Sequence, residues 1–246
     1  MTRVLLIRAR AAAAHTFFRP PRLHSGMGDQ RKADYLEAAD VEPNQWDSHP
    51  SDAELEETVE NLEDHGFEVE VVADADAALE FVQDEIPDGA SVMDGHSTTL
   101  EEIGFMEHLH EGDHEWENLH EHVFSIDDDE ARAAARRDAQ TADYFLGGAN
   151  AIARTGALVA ADASGSRVGA YPFAAKHLLV VAGVNKIQKD VETARKRLRD
   201  YAYRLEDERS QDAYGAPSAI SKELVYHRER TEGRTTVVLV EETLGY

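Results

Sequence analysis

The chain lacks cysteine altogether, carries only six lysines, and contains no long apolar run. Without sulfhydryls it forms no disulfide, holds no iron–sulfur cluster or zinc ion through thiolates, and has no cysteine nucleophile. The longest uncharged apolar stretches, such as residues 178–184, fall far short of the ~20 residues a membrane helix needs. Arg8 and Arg10 interrupt the early apolar VLLI, so a secretory core is missing too. These absences imply a soluble, cytoplasmic protein without membrane insertion.

Positive charge is scarce where negative charge is dense. The 246 residues hold 25 Lys+Arg against 49 Asp+Glu, a formal charge of −24. Nucleic-acid affinity rests on cations that displace counterions, so DNA and RNA are excluded as partners. Between Ala33 and Ala131 there are 33 acids and no Lys or Arg, and the remaining residues carry a balance of +9. Helical and strand patterns persist inside the acidic block, so it reads as a solvated face and not as a disordered tail. Such self-repulsion is tolerable when salt screens it, which implies a high-salt, halophile-like cytoplasm.

Residues 1–28 show neither helical nor strand period and read as a mobile tail, or as a start upstream of a true one at Met27. From residue 29 the chain reads as one domain. Leu55, Val59 and Leu62 recur at helical spacing until Gly66, a C-cap position. A strand follows at 67–72, then a helix around 75–83, a Pro-Asp-Gly turn at 87–89 and a strand at 90–93. Further on come a helix at 127–142, strands in YFLGG, ALVAADA and HLLVVAG, a helix at 189–207 and a last strand at 235–240. In the long helix Val191, Ala194, Leu198, Tyr201 and Leu205 share a face. Alternating strands and helices specify an α/β fold with a largely parallel sheet.

Three strands run into glycine, polar residues and then an expected helical turn: SVM-DGHST, YFL-GGAN-AIART and VVA-GVN-KIQKD. The carboxyl ends of parallel strands share one edge, where ligands bind. Glycine permits close backbone approach there, and helix starts expose N–H groups to anions. Thr98 with Glu101, and Thr99 with Glu102, fit capping boxes, so the helix after His96 starts there and Ser97 to Thr99 have a local reason to occur. Asp162 to Arg167 looks like a turn between two strands, with its own local reasons for Asp, Ser and Gly. Taken together, Arg167 and Lys186 beside glycine-rich starts suit a carboxylate or phosphate. His96 is the candidate for proton transfer.

His110-Glu-Gly-Asp-His114 matches H-E-x-x-H, a zinc motif that works only on a helix. Gly112 and Asp113 break helices, so the stretch from 109 to 122 is expected as a loop, and we assign no metal site. Signatures for classical dinucleotide binding, P-loop hydrolysis and α/β-hydrolase chemistry are missing. No cofactor is evident in the chain.

The segments STTLEEIGF (97–105), ANAIARTGALVAADASGSRVGAYPF (149–173), VVAGVNKIQKDVETARKRLRDYA (180–202) and VVLVEETLGY (237–246) resemble the lactate-utilization (LUD) domain family, of the LutC/YkgG type. The resemblance covers residues 29–246. It implies a three-layer α/β sandwich around a central, mostly parallel sheet, like that of sugar-phosphate isomerases and CoA transferases (the NagB/RpiA/CoA-transferase-like fold). It also implies work with iron–sulfur partner subunits in the oxidation of L-lactate to pyruvate. On matching positions it carries over Ser97, Thr98 and Glu101, then Asn150, Thr155, Gly156, Asp162, Gly165 and Arg167, then Gly183, Asn185 and Lys186 as ligand-binding residues. Two departures stand out: residues 207–233 lack the cysteines many relatives have there, and His96 replaces a glycine in Gly-Gly-Ser.

The expected function is binding of a small anionic ligand at the strand ends, with backbone N–H groups near Thr98–Leu100, Arg167 and Lys186 holding it and Thr155, Asp162 and Asn185 orienting it. The rival readings are a non-catalytic scaffold subunit, or an independent isomerase or transferase acting on a phosphorylated or CoA-linked substrate. A homodimer is the general expectation for a soluble oligomer.

Overall fold

The computed structural model describes residues 27–112 and 114–246. The expected tail therefore lies outside the described residues, except that α1 (Met27–Ala39) begins at Met27. Next come α2 (Asp52–Asp64), β1 (Glu68–Val72), α3 (Ala75–Glu85), β2 (Ser91–Asp94), α4 (Thr98–Glu102) and α5 (Phe105–Glu111). They are followed by β3 (Glu117–Asn118), α6 (Leu119–Ser125), α7 (Asp129–Asp138), β4 (Tyr144–Gly148), β5 (Ala151–Ala153) and β6 (Ala157–Asp162). The rest comprises α8 (Ser166–Gly169), β7 (His177–Gly183), β8 (Ile187–Gln188), α9 (Val191–Arg197), α10 (Tyr203–Tyr214), β9 (Lys222–Tyr226) and β10 (Thr235–Val240).

Local chemistry sets these boundaries. Ser51 caps α2, and its backbone N–H donates to Glu54 Oε2 at 2.9 Å, a reciprocal capping box. Gly66 follows the helix at φ +84°, where an added Cβ would stand 2.4 Å from the Glu229 carbonyl oxygen. Only glycine fits there. Asp128 caps α7, with acids over its first turn and Arg136 and Arg137 in its last, as the helix dipole favours.

Six strands form one parallel sheet in the order β1-β10-β7-β4-β2-β3. β4 and β10 are buried at every position and β7 at all but its first, as unbroken apolar strands covered on both faces must be. One face packs on α3, α4 and α5 through Val82, Leu100, Phe105 and Leu109. The other packs on α2, α6 and a second sheet through Leu62, Val123, Ile152 and Leu158. The result is an α/β fold with a central parallel sheet between two covering layers, as expected.

The second sheet is a finding of the structure. Its order is β8-β5-β6-β9, with β5–β6 and β6–β9 antiparallel and β5–β8 parallel. The expected helical turn in AIART is instead strand β5, because Gly156 at φ +82° closes a hairpin that pairs Ala153 with Ala157. Its alanines pack outward on Ala194 and Leu198. Asp162 to Arg167 leads into the short α8 and a π-helical turn at Ala170–Ala174, not directly into a strand.

The stretch from 109 to 122 is also more ordered than expected: it holds the end of α5, β3 and the start of α6. Segments this short span too few turns to show a period, and Asn118 starts α6 by accepting a hydrogen bond from Glu121 N. The long helix runs as α9, a π-helical stretch Leu198–Ala202 and α10, ending at Gly215 with φ +66°. Its apolar face is the expected one, with Ala194, Leu198, Tyr201 and Leu205 buried.

Candidate functional site

Parallel pairing brings the carboxyl ends of β2, β4, β7 and β10 to one rim, with Asp94 beside Leu146, Gly148 beside Val181 and Gly183 beside Val240. The loops after β2, β4 and β7 touch there. Gly95 N donates to the Leu146 carbonyl at 2.9 Å, and an added Cβ on Gly148 would stand 2.7 Å from Ser97 Oγ. Ser97 caps α4, its Oγ accepting from Leu100 N at 3.4 Å.

Lys186 lies at the centre of the rim, 2% exposed, and donates from Nζ to Thr99 Oγ1 at 2.7 Å. Among the described residues no carboxylate oxygen lies within 4 Å of Nζ. Burial, reinforced by the positive charges of Arg197, Lys32 and Arg167 and opposed by Glu102, holds this lysine down to about 7.

The rim is covered by the chain itself. Gly245 packs so closely that an added Cβ would stand 2.5 Å from Thr99 Oγ1 and 2.9 Å from both Lys186 Nζ and Thr98 Oγ1. Gly245 N donates to Glu102 Oε2, and Lys32 Nζ donates to the Gly245 carbonyl at 2.7 Å. Asn185 Oδ1 accepts from Leu244 N at 3.1 Å, and Gly183 leaves room for the Glu242 carbonyl. Asp47 gathers Lys32, Asn185, Arg197 and Tyr201 around one carboxylate.

His96 stands at the edge of the rim with 40% of its side chain accessible and Nδ1 3.5 Å from Glu101 Oε1. Crowding of the ring and the guanidinium groups of Arg209 and Arg167 push it down to about 4, against the pull of Glu206 and Asp94. That direction leaves a neutral imidazole at neutral pH. Arg167 lies along Gly95 and donates to the carbonyls of His96 and Ala161, while its Nε is buried without a partner.

Several sequence candidates have other work. Asn150 Oδ1 accepts from Ala161 N at 2.8 Å and so fastens β6. Asp162 accepts from the backbone N–H groups of Gly165, Arg167 and Val168, which makes the following turn. Gly165 sits at φ +95° against the Lys222 side chain. Thr155 and Gly156 form the hairpin turn, with Gly156 against the end of α2, where His65 Nδ1 is 2.7 Å from the Gly156 carbonyl. The structure does not bring these two to the rim, because β5 carries the chain away from it.

H-E-x-x-H does not form a helical pair. α5 ends at Glu111, Gly112 takes φ +72°, and the His114 ring stacks 4.7 Å from Trp116 while Nε2 meets the Leu109 carbonyl. Among the described residues no three His, Asp or Glu side chains form a group that could hold a metal ion. Surface depressions of about 370 Å³ over α9 and about 510 Å³ beside α5 and α6 have other linings than the rim. Among the described residues no helix is long and apolar enough to cross a membrane.

One pairing at the rim escaped sequence reasoning. Asp94, at the end of β2, lies 2.6 Å from His120 Nδ1 through Oδ1. Its only sequence signal was an acid at a strand end beside glycine.

The family model of the LUD domain matches residues 55–240. No curated protein matches the sequence. Among solved structures the chain is similar to a DUF162 family protein from Deinococcus radiodurans, with 13% identity, a TM-score of 0.44, and coverage of 76% of this chain and 96% of that one.

Proposed function

Because the chain belongs to the LUD-domain family, we propose that it serves the cytoplasmic utilization of lactate or a related 2-hydroxy acid by holding the acid's carboxylate at the rim. Iron–sulfur partner subunits would carry the electrons, since a chain without cysteine offers no thiolate for a cluster. The observation that carries this reading is Lys186, a buried lysine whose Nζ donates to Thr99 and which, among the described residues, has no ion-pair partner. Burying an unpaired ammonium is costly, and an entering anion removes that cost. Thr98 and Thr99 supply hydroxyls beside it, and Asn185 is next in the chain. Entry requires residues 244–246 to move aside, because Gly245 occupies the space next to Nζ.

The test is thermal shift and calorimetry in molar salt with L-lactate, pyruvate and inorganic phosphate, on the wild type and on Lys186→Met. A specific ligand raises the apparent stability of the native state. The expected result is a shift with lactate or pyruvate that Lys186→Met abolishes. A shift with sugar phosphate or CoA instead would favour an independent isomerase or transferase. No shift with any small anion would favour the scaffold reading, which the filled space over Lys186 supports.

A further inference from the structure

We propose that residues 244–246 are an autoinhibitory strap: Gly245 occupies the ligand's place beside Lys186, and Tyr246 is the latch that must leave its pocket before an anion enters. The inference rests on the carboxylate reading of Lys186 and adds how access to that site is controlled. Five side chains converge on Gly245. An added Cβ there would stand 2.9 Å from Lys186 Nζ, 2.5 Å from Thr99 Oγ1 and 2.9 Å from Thr98 Oγ1. The Gly245 N–H donates to Glu102 Oε2, and its carbonyl accepts from Lys32 Nζ at 2.7 Å. A carbonyl oxygen held by a lysine is the neutral counterpart of a carboxylate oxygen held by one.

The strap has a fixed root. Glu241 N donates to the Val72 carbonyl at 2.9 Å, Glu242 Oε2 accepts from Ala75 N at 3.1 Å, and Thr243 Oγ1 lies 2.8 Å from His49 Nε2. Leu244 then packs in the core that includes Val238 and Val240, which makes it the pivot. Past the root the backbone is held through side chains, with Asn185 Oδ1 on Leu244 N and Glu102 and Lys32 on Gly245. Such bonds release without breaking a strand ladder.

Tyr246 is the outer anchor. Its ring sits in a small cluster separate from the two that cover the central sheet, with Tyr201 and Leu205 of the long helix and with Tyr35 and Leu36 of α1 against it. Its hydroxyl donates to Glu206 Oε2 at 3.1 Å, and Arg209 holds Glu206 through two contacts at 2.7 and 2.8 Å. A closed strap lowers the apparent affinity by the fraction of molecules that are open. Loosening the latch therefore tightens binding, the opposite of what loss of a binding residue does.

The test is the rate at which reductive methylation labels each lysine of the full chain in molar KCl, resolved by peptide mass spectrometry. Lys176, with 66% of its side chain accessible, is the internal reference. Lys186 should label far more slowly than Lys176 in the wild type, and Tyr246→Ala should raise that ratio about tenfold and tighten L-lactate by a similar factor in calorimetry. Lys32→Gln, which undoes the clasp on the Gly245 carbonyl and leaves the Tyr246 pocket intact, should raise the ratio as well and covers a Tyr246→Ala chain that fails to fold. Gly156→Ala, away from the rim, should leave it unchanged. A ratio that neither Tyr246→Ala nor Lys32→Gln raises, one that Gly156→Ala raises equally, or weaker L-lactate binding in Tyr246→Ala would overturn the proposal. A raised ratio with no lactate binding in any variant would support the strap and count against the carboxylate reading alone.

Discussion

Asn185 Nδ2 donates to Asp47 Oδ1 at 2.7 Å, while the other end of the same amide accepts from Leu244 N. One side chain just past β7 thus ties the segment before α2 to the segment after β10. Asp47 also faces Arg197, whose side chain is fully buried and whose Nε donates to the Trp46 carbonyl at 2.7 Å.

Removing that carboxylate should be costly. Asp47→Ala leaves the Arg197 guanidinium buried without its counter-charge, for an expected loss of about 3–5 kcal/mol at neutral pH. Although burial works against ionisation, Lys32, Asn185 and Arg197 hold the Asp47 carboxyl below 3.8. A depressed carboxyl stabilises the fold above its unfolded value and ceases to do so as pH falls through the folded one. Urea titrations of both proteins should converge below pH 3.8.

Lys186 reverses that sign. Its folded value near 7 lies under the ordinary 10.5, so the unfolded chain binds more protons between those limits. Its contribution to stability therefore rises with pH from about 7 to 10.5. Lys186→Met should stabilise the free protein at pH 6 by about 1–3 kcal/mol and flatten that slope. Carboxylate binding should take up protons above pH 7, measurable by calorimetry in buffers of different ionisation enthalpy.

Two glycine substitutions separate the rim from the rest. Gly245→Ala, at φ +59° against Thr99 and Lys186, and Gly156→Ala, at φ +82° against Asn61, should each lose about 1–3 kcal/mol. Only the first should speed hydrogen exchange at 241–246 and alter the response to ligand. Thr155→Ala, at the exposed position next to Gly156, should leave that response unchanged. A changed response in Thr155→Ala would return the hairpin to the site.

Salt should matter throughout. With −24 charges, and 33 acids between Ala33 and Ala131, self-repulsion grows as the screening length lengthens. Thermal unfolding should move to lower temperature as KCl falls from molar to about 0.15 M.

Sequence alone determined the periodic elements: β1, β2, β4, β7 and β10, the helices α2, α3 and α7, and the long helix that begins with α9. Most of these bury an apolar stripe of their own, and α7 is marked instead by acids over its first turn and arginines in its last, so each pattern is written within a dozen residues. It also placed Gly95 to Thr99, Gly147 to Asn150 and Gly183 to Lys186 on one edge, because parallel strands end together. Tertiary structure alone decided which groups meet across that edge. Asp47 and Asn185 are 138 residues apart, Lys186 and Thr99 are 87, and His120 and Asp94 are 26. The strand order, the β5–β6–β9 pairing and the cover of residues 241–246 likewise depend on distant partners. Such contacts form only when the chain packs, and they leave no periodic trace in the residues that make them.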